Sequence, residues 1–158
     1  MGAIIMQSTA SAILKIINNY PQFIFKKSDD FLWSSSDNTI FYNPKDVHAL
    51  ALLLHELAHA LLGHKLYLSD VQLISIESQT WDYAVNLAES YNIVIPEEIV
   101  QSNLDTYRDW QHERSTCPKC TATGMQIKNN IYSCLACSNQ WKVNQARDCR
   151  LQRHDITK

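Results

Sequence analysis

The string His55-Glu56-Leu57-Ala58-His59 sets two imidazoles four residues apart with a carboxylate beside the first. Residues four apart on an α-helix differ by about 40° around its axis, so on a helix both rings project from one face, one turn apart. Two imidazoles in that arrangement bind one Zn²⁺, and Glu56 is placed to take the proton of an activated water. The motif lies inside a strongly helical segment, which is the context this chemistry requires.

Four cysteines form a second constellation. Cys117-Pro118-Lys119-Cys120 and Cys134-Leu135-Ala136-Cys137 are C-x-x-C pairs separated by 13 residues. Each pair makes a knuckle offering two thiolates. Two knuckles joined by a hairpin complete a closed tetrahedral S₄ site, the pattern of a structural zinc. The glycine usual after each knuckle is missing, and Thr121 and Ser138 stand there instead. A thioredoxin-like redox role lacks its βαβ context. So short a segment cannot build a sufficient core, so metal binding must supply its folding free energy. Five cysteines are too few for a disulfide scaffold, and Cys149 is left over as a free thiol.

Catalytic zinc usually takes three protein ligands, so a third must join His55 and His59. The metzincin pattern needs glycine at position 62 and histidine at 65, where the chain has Leu62 and Lys65. His64 lies five residues past His59, which on a continuing helix turns it roughly 140° away. It reads as a histidine interacting with the helix end. His48, two turns before His55, reads as structural. On the following helix Glu77 and Asp82 are available. Glu77 is favoured, and the other is free to orient a histidine. Tyr83 and Tyr91 are both available to stabilise an oxyanion, and nothing in the sequence chooses between them.

The elements that position these groups follow from periodicity. Ala12, Ile13, Ile16, Ile17 and Tyr20 recur at helical spacing, which predicts a helix over about 7–19. Short β-type runs follow at Gln22–Phe25, Phe31–Trp33 and Thr39–Tyr42, separated by turn chemistry, and suggest a small antiparallel sheet. Asn43 as N-cap and Pro44 at N1 would open the next helix, which carries the two histidines and ends at Gly63. Further helices are expected over about 73–91 and 97–112, then strands Met125–Lys128, Ile131–Ser133 and Gln140–Val143, then a polar basic tail over 144–158. The strand Thr39–Tyr42 is a place where a substrate could be held extended by strand addition.

Composition bounds the rest. With only three glycines in 158 residues, neither a G-x-G-x-x-G fingerprint nor a Walker A loop can be assembled. The longest apolar run, Ala49–Leu54, is far short of the roughly 20 residues of a membrane span. The N-terminal run has no basic residue before it, as a signal peptide would, so the expected location is cytoplasmic. Residues 1–104 carry a net charge of −6 and residues 105–158 a net of +4. That asymmetry suggests parts with different partners. Lys119, Lys128, Lys142, Arg147, Arg150 and Arg153 could meet phosphates, with Tyr132 and Trp141 available for stacking.

The sequence resembles the ImmA/IrrE family of metallopeptidases. The carrying residues are Ile40-Phe41-Tyr42-Asn43-Pro44, the string from His55 to His64, then Glu77, Trp81 and Ala84, and Ile93-Val94-Ile95-Pro96. Thr80 and Trp81 stand where that family often has Ala and Asp or Asn. The resemblance covers about 35–100. It implies a zincin-type fold of gluzincin-like kind, with His55, His59 and Glu77 as zinc ligands and Glu56 as general base. It also implies a protein substrate, a helix-turn-helix repressor of a mobile element or stress response. A second resemblance is to the SprT-like family, which also follows an H-E-x-x-H helix with a zinc ribbon and acts on DNA-associated proteins. Its third ligand is usually a histidine at about the position of Glu77.

The expected architecture is therefore α+β. A zincin-like zinc metalloendopeptidase domain over 1–110 has helices and a short antiparallel sheet, and a zinc ribbon with a basic tail covers 111–158. Two zinc ions are expected, one catalytic on His55, His59 and Glu77, one structural on Cys117, Cys120, Cys134 and Cys137. The expected partners are a protein substrate and nucleic acid along the basic ribbon and tail, with no membrane. The competing reading is a non-catalytic module, in which the ribbon binds nucleic acid or protein and the zincin core is degenerate.

Overall fold

Ser8 begins the described part of the chain, where it caps helix α1 (Thr9–Asn19) by accepting from the Ser11 N–H at 3.3 Å. The computed structural model describes residues 8–147 and 149–156, so the reading of the extreme N-terminus as lacking a signal peptide falls largely outside it. Eleven elements follow one another as α1, β1 (Ile24–Lys27), β2 (Leu32–Ser34), β3 (Thr39–Tyr42), α2 (Ala49–Leu61), α3 (Asp70–Glu89), α4 (Glu97–Ser115), β4 (Met125–Lys128), β5 (Ile131–Ser133), β6 (Gln140–Val143) and β7 (Arg153–Asp155). The fold is α+β, with four helices and two small sheets among the described residues. No helix among them is long and apolar enough to cross a membrane.

The chain divides into two compact units. One comprises the residues up to Lys65 with Ser78–Val100, the other Leu66–Glu77 with the residues from Gln101 onward. Helices α3 and α4 each contribute to both.

In the first unit the sheet order is β1-β3-β2. β2 pairs antiparallel with β3 and β1 pairs parallel with it, so the sheet is mixed rather than antiparallel throughout. β3 enters between the two earlier strands, and both of its edges are consumed. It therefore has no edge to offer a substrate, against the expectation for Thr39–Tyr42, and the free edges belong to β1 and β2. α2 packs on β2, β3 and α1. Its buried residues, among them Leu53, Leu54, Leu57 and Ala58, cover about 240° of the helix and none of its residues is exposed, so it is a core helix whose half-buried arc carries Leu52, Glu56 and His59. It starts at Ala49, not at Pro44. Asn43 instead closes a turn by accepting from the Lys45 N–H at 3.0 Å, and Asp46 closes a second by accepting from the His48 N–H at 2.7 Å. Two successive Asx turns satisfy the backbone groups that an earlier helix start would have used.

In the second unit Ser69 accepts from the Gln72 N–H at 3.2 Å, as an N-cap does, and α3 begins one turn before Leu73. The S-x-x-Q spelling of Ser69–Gln72 is the sequence signal for that start. The sheet β4-β5-β6-β7 is antiparallel throughout. β7 lies in what reads as a polar tail. All three of its residues are exposed, so no alternation of apolar residues announces it, and it is held by backbone pairing to β6. Tyr132 and Trp141 are buried and stacked, with ring centroids 5.7 Å apart, in a core shared with Cys117, Cys134 and Val143. Neither is available to stack on a nucleic-acid base. Gly124 lies against that core. A Cβ there would sit 2.3 Å from the Trp141 ring and 2.9 Å from the Ser133 carbonyl oxygen, so only glycine fits without a shift.

Beside this core the Arg114 guanidinium, 1% exposed, meets Asp70 through Nε at 2.6 Å and Nη2 at 3.3 Å. It also donates to Asn130 Oδ1 at 2.8 Å and to the Asn144 carbonyl, while the Tyr132 hydroxyl donates to Asp70. Burial and the Asp70 carboxylate together hold the Tyr132 phenol well above its ordinary range. The buried charge pair is thus fully hydrogen-bonded, which is the condition for tolerating it.

Candidate metal centres

His55 and His59 project from one face of α2, and their Nε2 atoms come to 3.1 Å from each other. The two rings meet edge to face with centroids 4.7 Å apart. His55 is buried and its other face stacks on Trp81 of α3, 4.2 Å between centroids. Glu77, 4% exposed, stands one residue before the point where α3 joins the first unit at Ser78. His55, His59 and Glu77 offer one ligand atom each, all within 4.8 Å of one another, so this group could hold a metal ion. Asp82, the other acid considered, is exposed and takes no part in it. Five residues separate it from Glu77, so it points about 140° away around the helix.

The neighbours of the two histidines belong to the first unit. Glu56 is half-buried, and its Oε2 accepts from the backbone N–H of Trp33 in β2 at 2.7 Å. Trp33 is fixed in turn by its indole N–H, which donates to the His64 carbonyl at 3.0 Å. His64 does not point away from His59. Its Nδ1 lies 3.0 Å from His59 Nδ1, and Thr80 Oγ1 lies 3.4 Å from His59 Nδ1 and 3.2 Å from His64 Nδ1. The helical angle does not apply, because the helix ends at Leu61 and Gly63, at φ +69°, turns the chain back.

Three contacts, His64, Thr80 and Trp81, were missed in the sequence. The signal for the last two was there: Glu77, Thr80, Trp81 and Ala84 follow the i, i+3, i+4, i+7 spacing of one helix face, and all four are buried. Of the tyrosines considered for an oxyanion, Tyr91 accepts from Asn19 Nδ2 at 3.0 Å. It also clusters with Tyr20, whose phenol is pushed up to about 12 by burial and by Tyr91 and Tyr83. His48 is exposed at the start of α2.

The second group is assembled by the two knuckles. Cys117 Sγ and Cys137 Sγ are 3.7 Å apart, Cys120 Sγ and Cys134 Sγ 3.5 Å, and all four sulfurs lie within 4.8 Å, an arrangement that could hold a metal ion. Cys117 and Cys134 are buried, while Cys120 and Cys137 are exposed. Each knuckle closes by a backbone bond, Thr121 N–H to Cys117 at 3.0 Å and Ser138 N–H to Cys134 at 2.9 Å. Thr121 and Ser138 take the left-handed conformation that glycine would take more cheaply, φ 62° and 60°.

Crowding four thiols splits their acidities. Burial opposes ionisation of Cys117, yet N–H groups of Cys120 and Lys119 and the adjoining thiols bring it down to about 7. Cys120 accepts from the Ala122 N–H, but Cys137 and Cys134 push it up to about 12. Cys134 is lowered, chiefly by the Cys137 N–H. Cys149 is exposed, 3.5 Å from Asn144 Nδ2, and outside the group.

Among the basic residues expected to face phosphate, Arg147 lies over the Tyr107 ring at 4.1 Å, and Arg153 donates to the carbonyls of Glu113 and Thr116. Comparison with family models, with curated proteins and with solved structures finds no match to this chain.

Proposed function

We propose that the protein is a zinc-dependent endopeptidase of zincin-like type, with His55, His59 and Glu77 as ligands of a catalytic zinc, Glu56 as general base, and a second, structural zinc on the four cysteines. The observation that carries this reading is the convergence of two Nε2 atoms and a carboxylate within 4.8 Å, with the Glu56 carboxylate on the same helix. The donor sets fit. Two imidazoles and a carboxylate are a catalytic zinc set, while four thiolates are a structural one. Sulfurs 3.5–3.7 Å apart suit a tetrahedron with Zn–S near 2.3 Å, whose edge is about 3.8 Å. When bound, the catalytic zinc supplies Lewis acidity toward water and a peptide carbonyl.

The chain's own groups do the rest. Glu56 accepts the proton of the attacking water and passes it to the leaving amine. Its bond to the Trp33 N–H fixes one oxygen of the carboxylate. In an antiparallel pair a residue whose N–H is not spent on its neighbour presents it outward, so Trp33 presents its backbone on the free edge of β2. An extended substrate segment adding along that edge would pair with its carbonyls and other N–H groups, since the Trp33 N–H is given to Glu56. The substrate in this reading is a protein, a helix-turn-helix repressor being the one the resemblance suggests. With Tyr132 and Trp141 buried, neither ring stacks on a base, and a nucleic-acid contact of the second unit would rest on its basic side chains.

Glu56→Gln tests the reading. On a quenched-fluorescent peptide library it is expected to lower turnover by about 10²–10⁴-fold, with the zinc content unchanged. Equal turnover by the variant and the wild type would refute the mechanism.

A further inference from the structure

Helix α2 ends in a complete Schellman motif. The Gly63 N–H bonds to the Ala60 carbonyl at 3.2 Å, and the His64 N–H to the His59 carbonyl at 3.1 Å. Gly63 supplies the left-handed residue at φ +69°, and nothing lies within 4 Å of where its Cβ would be, so the constraint is conformational rather than steric. In this motif the second residue past the cap folds back beside the third residue before it, usually as a hydrophobic contact. Here that pair is His64 and His59, and the contact is polar, Nδ1 to Nδ1 at 3.0 Å.

His59 directs Nε2 toward the Nε2 of His55, and with Nε2 given to a metal its Nδ1 would be the nitrogen that carries the ring proton. Two acceptors lie in reach of that proton, His64 Nδ1 at 3.0 Å and Thr80 Oγ1 at 3.4 Å. Both come from the first unit, one from the helix-ending turn and one from α3. An imidazole whose far N–H is engaged in this way is held in one tautomer and one orientation.

We propose that His64, delivered by the turn at Gly63 and backed by Thr80, is a positioning residue that fixes the tautomer and ring angle of His59 for metal binding. This rests on the proposed role of His59 as a ligand through Nε2. It gives a chemical role to a histidine that the sequence alone assigns to the helix end. Holding the ring with a neutral imidazole and a hydroxyl, rather than a carboxylate, adds no negative charge behind the ligand.

The test is competition of Zn²⁺ against a chromophoric chelator on the full chain, with nitrogen-15 spectra of the imidazoles. His64→Ala should weaken the His-Glu centre by about 10–100-fold and leave the cysteine centre unchanged. His64→Asn, whose side-chain oxygen can accept in place of Nδ1, should restore most of that loss. Thr80→Val should cost less than His64→Ala. The spectra should show His59 protonated at Nδ1 in the wild type and lose that single form in His64→Ala. Unchanged affinity in His64→Ala overturns the proposal. So does a loss that His64→Asn fails to restore, since a ligand or a purely structural residue would behave that way. A wild type holding one ion, on the cysteines, overturns the metal reading and this inference with it.

Discussion

The cysteine group and the histidine–glutamate group solve the same problem with opposite use of sequence. Four thiols from two knuckles, all between Cys117 and Cys137, provide every ligand a tetrahedral ion needs, and two of them are buried in the small core of the second unit. The other group offers two candidate donors from α2 and one from α3, and three donors would leave a tetrahedral ion one position short. Around the cysteines the hydrogen bonds come from backbone N–H groups and from the neighbouring thiols, which favour the thiolate at Cys117 and Cys134. Around the histidines stand a carboxylate, a third imidazole and a hydroxyl, groups that can hold or move protons. In the proposed reading, coordination number and neighbours, more than the presence of a metal site, are what would separate a structural ion from a catalytic one.

That contrast can be broken most sharply by stability. The core around Cys134 is five buried residues, so in the proposed reading the sheet β4-β5-β6-β7 depends on a metal held by the cysteines. Structural zinc supplies on the order of 10 kcal/mol or more in small domains, comparable to a whole domain's stability. Cys134→Ser should therefore abolish hydrogen-exchange protection in β4, β5 and β6. His55→Ala should leave both sheets protected. The reverse pattern would mean that the roles of the two groups are exchanged.

A smaller effect sharpens what else holds the second unit. Asp70→Asn leaves the Arg114 guanidinium, 1% exposed, without its countercharge, and should cost about 3–5 kcal/mol in urea unfolding. A cost under 1 kcal/mol would show that Tyr132, Asn130 and the carbonyls suffice. Smaller still, Thr121→Gly and Ser138→Gly relieve left-handed strain in the knuckles and should each stabilise by about 0.5–1 kcal/mol, read as a raised urea midpoint.

The same contrast explains what was legible in the sequence. The grouping of both donor sets is legible because each knuckle, and the pair His55 and His59, are fixed by local geometry: a C-x-x-C turn and one turn of helix. The strands β4, β5 and β6 were legible too, since turn residues bracket them. What escaped was set by pairing or by chain reversal. β7 carries no apolar alternation, and the parallel pairing of β1 with β3 leaves no mark in either strand. A helical wheel fails for His64 because the helix ends at Leu61. Gly63 was recognised as a C-cap, and the Schellman geometry it implies would have returned His64 to His59. The burial of Tyr132 and Trp141 follows from strand alternation: Tyr132 and Trp141 are cross-strand partners on one face.

Two metal centres of different kind in one chain require two ions, and metal stoichiometry reads that number. Elemental analysis of the purified full chain should find two ions per chain, and of His55→Ala one, with the remaining ion released by thiol-modifying reagent. A single ion in the wild type, or two retained in His55→Ala, would contradict the two-centre reading.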